Sequence, residues 1–521
     1  MTSTNINPLA IPEIRSMVGQ HLRRPDLPRC SRVCKSWHAS FVPLVWSKVI
    51  LREETCSRLR NPPLEAFIRY SHYLKDLNYA TDAPHEYRST SCPNLLRLEV
   101  NVTRYSKGED IDIVPIQIAQ YEKLRYLRIE GCGLRSQRIL WEPVHHHNLY
   151  ELELYDLEIV PTCTATFWDL CTQLVSLKIE DVTVAEMPAR SITFDRLQRL
   201  ELELKSQNPI EHQLEWITQC PNLTSLYWNY SVVDPTSRLM RHFLPGTWPH
   251  LSELFLESIE LTDAQLARVI GAMQDLKSLS VYTCEVGSYF LEALYHHSQT
   301  LTSLDATSCR VLTPSLVPKI LASFPHLESL RVDRVMDQDI IDGLPWVCEH
   351  SLKKLSIDIS FRINDADYHR QVLQRISRVT HLKGLFLDRG RQTKKSLHLS
   401  LDNGLDQLAT LKQLEKLSFY FPAETLGVRD AEWMINNWKN LKKIVGISVK
   451  TLRKSWFQCL PQLASTVPLS ENTTELVNSY KMVHNLCNAT LRRSIKTDSE
   501  SAVWVRVLAE ATGIARKKTQ V

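Results

Sequence analysis

From Leu74 onward the apolar positions obey one recurring rule: Leu-x-x-Leu-x-(apolar), a polar gap, then the same phrase again. The opening leucines are Leu74, Leu95, Leu124, Leu149, Leu174, Leu197, Leu223, Leu251, Leu276, Leu301, Leu327, Leu352, Leu382, Leu414 and Leu441, spaced 21 to 32 residues apart. Within a phrase, apolar and polar residues alternate as they do along a strand with one buried face. In Leu251-Ser-Glu-Leu254-Phe-Leu256 the leucines are expected to point inward, with Glu253, Phe255 and Glu257 outward. The period then changes. Leu266, Val269, Ile270 and Met273 recur at helical spacing, with Thr262 or Asp263 placed to cap the helix. Connections such as Cys92-Pro93-Asn94-Leu95, Cys220-Pro221-Asn222-Leu223 and Phe324-Pro325-His326-Leu327 lead into the next strand. Proline ends a helix there, because it has no amide hydrogen to donate.

A strand followed by a helix, repeated at this length, resembles the leucine-rich repeat. The resemblance covers residues 74–447 and implies an α/β solenoid, a horseshoe with parallel strands on its concave face. One such unit cannot bury its own faces, so the two ends of the stack need covers. Residues 51–73 form a helical linker and N-terminal cap, with Leu64, Phe67, Ile68 and Tyr70 at helical spacing. Residues 448–521 read as a C-terminal cap, with a helix around Trp456, Phe457 and Leu460, followed by a partly disordered basic tail. Long intervals before Leu124, Leu382 and Leu414 imply loop insertions, including Ser106–Val114 and Arg389–Lys395.

Ahead of the repeats, Pro12 can open a helix, since its missing amide hydrogen is not needed in the first turn. Ile11, Ile14, Val18 and Leu22 follow at helical spacing. A Pro25-Asp26 turn restarts the chain with Asp26 as N-cap, and Leu27, Cys30, Val33, Cys34 and Trp37 make a second stripe. With Glu13, Lys35, Leu44 and Trp46, these residues resemble an F-box, the three-helix module that joins substrate receptors to SCF-type ubiquitin ligases. The resemblance spans residues 1–50 and implies contact with a Skp-family adaptor, and through it a cullin. By the same resemblance Ile11, Pro12, Ile14, Leu22, Leu27, Val33 and Trp37 carry that contact, Trp37 also holding the module together. The implied function is substrate recognition within the ligase. A non-catalytic leucine-rich-repeat scaffold without ligase recruitment is the alternative, and adaptor copurification separates the two.

Composition narrows the rest. Hydrophobic content of 43% and charged content of 23% suit a folded protein. No apolar run is long enough to span a membrane and the N-terminus lacks signal-peptide character, so a cytoplasmic or nuclear location is expected. The 13 cysteines include no Cys-x-x-Cys pair and are expected as free, mostly buried thiols. Cys30, Cys34 and His38 are four apart, as on one helix face, but lack a fourth ligand, so no metal is expected. The net charge of +4 is uneven: residues 1–50 carry +5 and residues 448–521 carry +6, leaving −7 for the middle. An acidic centre argues against a nucleic-acid ligand.

No phosphate-binding loop, nucleophile elbow, zinc-protease motif or dinucleotide fingerprint is present, and glycines number only 14. The chain is expected to be non-catalytic and without cofactor. What remains is surface. Outward strand positions give an acidic run, Glu151, Glu153, Glu180, Glu201 and Glu203, followed by an aromatic run, Tyr227, Phe255 and Tyr282. Aromatics bordered by charge are the usual make-up of a protein-binding hot spot, and these residues are the expected contact for a protein substrate with basic and apolar anchors.

Overall fold

The computed structural model describes residues 7–52, 61–80, 83–102, 113–116, 121–131, 137–141, 148–159, 161–204, 210–230, 246–259, 261–311, 316–361, 365–387, 399–419 and 428–445. The expected C-terminal cap, Arg389–Lys395 and most of Ser106–Val114 lie outside these residues. The chain divides into two units: Met1–Leu261 with Arg268–Leu276, and Thr262–Ala267 with Lys277 onward.

The first unit opens with helices Pro12–His21, Leu27–Cys30 and Lys35–Val45. Pro12 sits in the first helical turn, as its chemistry allows. Leu27, Phe41 and Val42 are buried between the helices. Gly19 permits the close approach: a Cβ there would meet Phe41 Cε1 at 2.9 Å and collide with Leu44. Two expectations need correcting. Asp26 caps nothing with its side chain, because Arg23 (3.3 Å) and Arg29 (3.4 Å) take its carboxylate. The second stripe is not one helix either. The chain breaks after Cys30, and Cys34 is extended at the start of the third helix, so Cys30, Cys34 and His38 share no helix face.

A parallel ladder follows, through Lys48–Leu51, Asp76–Ala80, Arg97–Asn101, Tyr126–Glu130, Glu151–Tyr155, Ser176–Val184, Arg199–Leu204, Ser225–Asn229 and Glu253–Glu257. Its register places Leu77, Leu98, Leu127, Leu152, Leu177, Leu200, Leu226 and Leu254 in one row. Each of these side chains is at most 1% exposed. The second unit repeats the arrangement from Ser278–Val281 to Lys443–Val445, aligning Leu279, Leu304, Leu330, Leu355, Leu385, Leu417 and Ile444. These are leucine-rich repeats.

The ladder starts one strand before the leucine phrase does. Lys48–Leu51 pairs with Asp76–Ala80 and buries Val49 and Leu51. Not every unit returns through a helix: Ser176–Val184 reaches Arg199–Leu204 with no helix between them, which corrects the strand–helix expectation. Ile113–Ile116, Gln137–Trp141 and Leu157–Ile159 form a second small parallel sheet with the end of Ser176–Val184. Asp156, at φ 54°, turns the chain directly into Leu157–Ile159, whose Leu157 and Ile159 are buried at a spacing of two. The same left-handed corner recurs at Asp181, Ser258, Thr283 and Ser308, each four residues past the central leucine. Gly131 holds the equivalent place, where a Cβ would collide with the Asp156 carbonyl.

Neighbouring units are tied by a second recurring device. Asn94, Asn148, Asn222 and Asn440, each just before an opening leucine, donate side-chain hydrogen bonds to the carbonyls of His72, Glu122, Asp195 and Lys412 in the preceding unit (2.8–3.0 Å). The expected helix caps are both used, but for different helices. Thr262 stands before Asp263–Gly271, and its N–H donates to Gln265 Oε1 (2.9 Å). The buried Asp263 carboxylate instead accepts from the N–H groups of Gly287, Tyr289 and Phe290 (2.8, 3.1 and 2.8 Å), at the start of the next unit's helix Ser288–Tyr295.

Candidate functional site

The first helix is built with its polar side in. Its two buried residues are Arg15 and Gly19, one turn apart, and Arg15 Nη1 donates to Ser36 Oγ at 3.0 Å. The apolar side therefore faces solvent. Met17 is 62% exposed and Val18 40%, and outside the helix Ile11 is 37% and Val33, in the turn before the third helix, 62% exposed. Exposed large apolar residues are the usual material of interaction surfaces. Of the residues expected to meet an adaptor, Ile11, Pro12 and Val33 are exposed, while Ile14, Leu22 and Trp37 are half-buried. Trp37 rests on Phe41, ring centroids 5.4 Å apart. Leu27 is 6% exposed and belongs to the module's core, which corrects its assignment as a contact residue. Met17 was not among the expected residues. Its spacing of three from Ile14 carries the signal, but spacing alone does not say which side of a helix is buried.

On the strand surface of the first unit the outward rows hold Glu151, Glu153, Glu180, Glu201 and Glu203, as expected. The acidic run is not continuous, however. Register inserts Arg128 beside Glu153 and Lys178 between Glu153 and Glu201. Arg128 pairs with Glu130 at 2.9 Å and Glu153 at 3.6 Å, and Lys178 with Glu201 at 2.8 Å and Glu180 at 3.4 Å. Tyr155 lies under both cations, 4.4 Å from the Arg128 guanidinium and 5.4 Å from the Lys178 ammonium. Partial burial works against the charge on Lys178, but Glu201, Tyr155 and Glu180 together hold its pKa above the ordinary lysine value. Glu153, Glu180 and Glu201 thus have cationic partners within the sheet, and Glu151 and Glu203 have none among the described residues.

The uncompensated charge gathers further along. Among the described residues Glu203 and Glu257 have no cationic partner, and Tyr227 donates its hydroxyl to Glu257. Partial burial raises the Glu203 carboxyl, an Asn229 hydrogen bond opposes the rise, and Asp181, Glu180 and Glu257 add to it. Burial, followed by the Glu257 hydrogen bond, likewise pushes up the Tyr227 hydroxyl. Tyr227 and Phe255 are direct partners across adjacent strands, both half-buried. Tyr282 belongs to the second unit, where it is 39% exposed.

The second unit presents different chemistry. Its first outward row reads Ser278, Ser303, Ser329, Lys354, Gly384, Lys416 and Lys443, and its central row Ser280, Asp305, Arg331, Ser356, Phe386 and Ser418. Sequence reasoning passed over these lysines because it followed the acidic and aromatic positions.

A cleft of about 630 Å³ in the first unit, lined by Thr183, Met187, Pro188, Arg190, His212 and Glu215, carries an Arg190–Glu215 ion pair at 2.6 Å. Among the described residues no group of three His, Cys, Asp or Glu side chains is placed to hold a metal ion. No helix among them is long and apolar enough to cross a membrane.

No protein-family model and no curated protein sequence matches the chain. Several solved structures do. An internalin of Listeria monocytogenes is 18% identical over 63% of this chain and 84% of its own, with a TM-score of 0.37. A leucine-rich-repeat protein of Leptospira interrogans is 18% identical over 77% and 97%, with a TM-score of 0.41. The leucine-rich-repeat ectodomain of the Arabidopsis receptor kinase HAESA is 13% identical over 73% and 76%, with a TM-score of 0.30. At such scores the likeness bears no weight about partners, and the assignment of the repeats rests on the strand register and buried leucine rows above.

Proposed function

We propose that this chain is the substrate-recognition subunit of an SCF-type ubiquitin ligase. The N-terminal module docks a Skp-family adaptor through Ile11, Pro12, Met17, Val18 and Val33, with Ile14, Leu22 and Trp37 at the margin. The outward strand rows take a protein substrate, Tyr227 and Phe255 supplying the apolar anchor and Glu203 and Glu257 the charge. The observation that supports this reading is the first helix, which buries Arg15 and Gly19 and leaves Met17 and Val18 in water. An apolar surface of this kind is stable in water only at a cost, which a partner removes. The receptor needs no chemistry of its own: it holds a substrate near an enzyme recruited elsewhere, and proximity does the rest.

The test is adaptor pull-down with Met17→Asp combined with Val33→Asp. Both side chains are exposed, so the double variant is expected to keep its circular dichroism and melting behaviour while losing adaptor and cullin together. Unchanged capture refutes the docking surface. Failure of the wild-type chain to capture any adaptor, with partner binding by the repeats intact, favours the simpler reading of a repeat scaffold without ligase recruitment.

A further inference from the structure

The start of the strands in the second unit carries a row of lysines. Two adjacent positions matter in each repeat: the residue before the strand, Glu328, Lys353, Lys383, Glu415 and Lys442, and the first strand residue, Ser329, Lys354, Gly384, Lys416 and Lys443. Backbone hydrogen bonds Lys383 N–H to Lys353 O and Lys442 N–H to Glu415 O, each 2.8 Å, hold these residues side by side. All six lysines are exposed. The two glutamates neutralise two of them, Lys353 by Glu328 at 2.6 Å and Lys442 by Glu415 at 2.8 Å. Lys354, Lys383, Lys416 and Lys443 have no carboxylate partner among the described residues. Hydrogen bonding from Lys442, then its charge and those of Lys383 and Lys416, holds the Glu415 carboxyl below its ordinary value, so the edge acts as one electrostatic field.

We propose that this edge, Lys354, Lys383, Lys416 and Lys443, docks an acidic protein segment in extended form. Lys354 and Lys416 are two strands apart, about 10 Å, which an extended chain covers in roughly three residues. Lys416 and Lys443 are one strand apart, about 5 Å, so a segment crossing the strands meets lysines at intervals of roughly one and a half to three residues. Gly384, between those two lysines, leaves room in the row, and the edge of the Phe386 ring fills it: a Gly384 Cβ would lie 2.8 Å from Phe386 Cε2. Lys354 Nζ stands 5.7 Å from the centre of that ring. The occupant thus meets charge at intervals and one apolar surface. Glu328 and Glu415 sit in the same row, where they would repel a continuous phosphate backbone but tolerate a peptide whose acidic residues alternate with neutral ones. Beside the row stands one aromatic, Phe386, where single-stranded nucleic-acid sites use several to stack successive bases.

This inference rests on the reading of the strand surface as protein-binding, and not on ligase recruitment. Fluorescence anisotropy with the full chain and a labelled peptide alternating glutamate with serine tests it. Lys354→Glu combined with Lys416→Glu is expected to weaken binding at least tenfold, and the wild-type affinity to fall with salt. Glu328→Gln combined with Glu415→Gln frees two further lysines and is expected to tighten binding severalfold, a gain that misfolding cannot imitate. Unchanged affinity in either double variant overturns the proposal, as does tighter binding of a DNA strand of equal charge. Adaptor pull-down on the same proteins separates the two readings: capture retained with peptide binding unaltered by the variants refutes only the lysine edge.

Discussion

The cysteines differ sharply in what their surroundings allow. Cys34 is exposed at the start of an 11-residue helix, where the Ser36 hydroxyl (3.2 Å) and the N–H groups of Trp37 and Ser36 favour its thiolate and lower its pKa, Arg15 adding a little. Burial pushes Cys92, Cys309 and Cys348 up to about 12, and Cys171 and Cys220 higher still. Among the described thiols, iodoacetamide at neutral pH is therefore expected to modify Cys34 first, read by peptide mass spectrometry of a short time course. A first adduct on Cys309 or Cys348 would contradict this. At the opposite extreme, Leu254 and Leu279 are 0% and 1% exposed in the buried leucine rows. Truncation of either to alanine is expected to cost roughly 2–5 kcal/mol by denaturant titration, since a stacked row cannot close over the gap.

Elements show where a one-residue pattern stops being informative. The corners at Asp156, Asp181, Ser258, Thr283 and Ser308 place side-chain-bearing residues at positive φ. Thr283, at φ 64°, is β-branched, for which this region is especially costly. Thr283→Gly is expected to raise stability by about 0.5–1 kcal/mol, strain relief exceeding the added chain entropy; a lower melting temperature would mean that the Thr283 hydroxyl's bond to the Tyr282 carbonyl (2.6 Å) outweighs the strain. Most strands were legible because Leu-x-x-Leu-x-apolar encodes both period and facing. Lys48–Leu51 was not, since Val49 and Leu51 form no such phrase. Asp263 was legible as a cap but not as its neighbour's cap, because its partners lie 24 to 27 residues away. The charge ladder escaped for a related reason: Arg128 and Lys178 lie beside Glu153 only once register is known.

At the scale of the whole molecule, the outward rows of the two units divide their chemistry. The first carries paired charges, tyrosines and a few uncompensated carboxylates; the second carries serines and then lysines. A chain-wide charge of +4 hides this division, and the sequence pointed only to a basic, apolar-anchored protein substrate at the acidic and aromatic rows. The helical module has a further consequence through the strand that follows it. Lys48–Leu51 pairs on one side only among the described strands, and a parallel sheet ending in bare backbone invites another chain to add itself. Arg24, from the module, donates to the Lys48 carbonyl, and Trp46 leads into the strand with its ring 5.1 Å from Tyr70. The module is thus also the guard of an open sheet margin. Deleting it to test the proposed adaptor binding is expected to unmask a sticky edge and yield aggregates that mimic loss of function, so the proposed surface is better silenced by substitution, with the guard left standing.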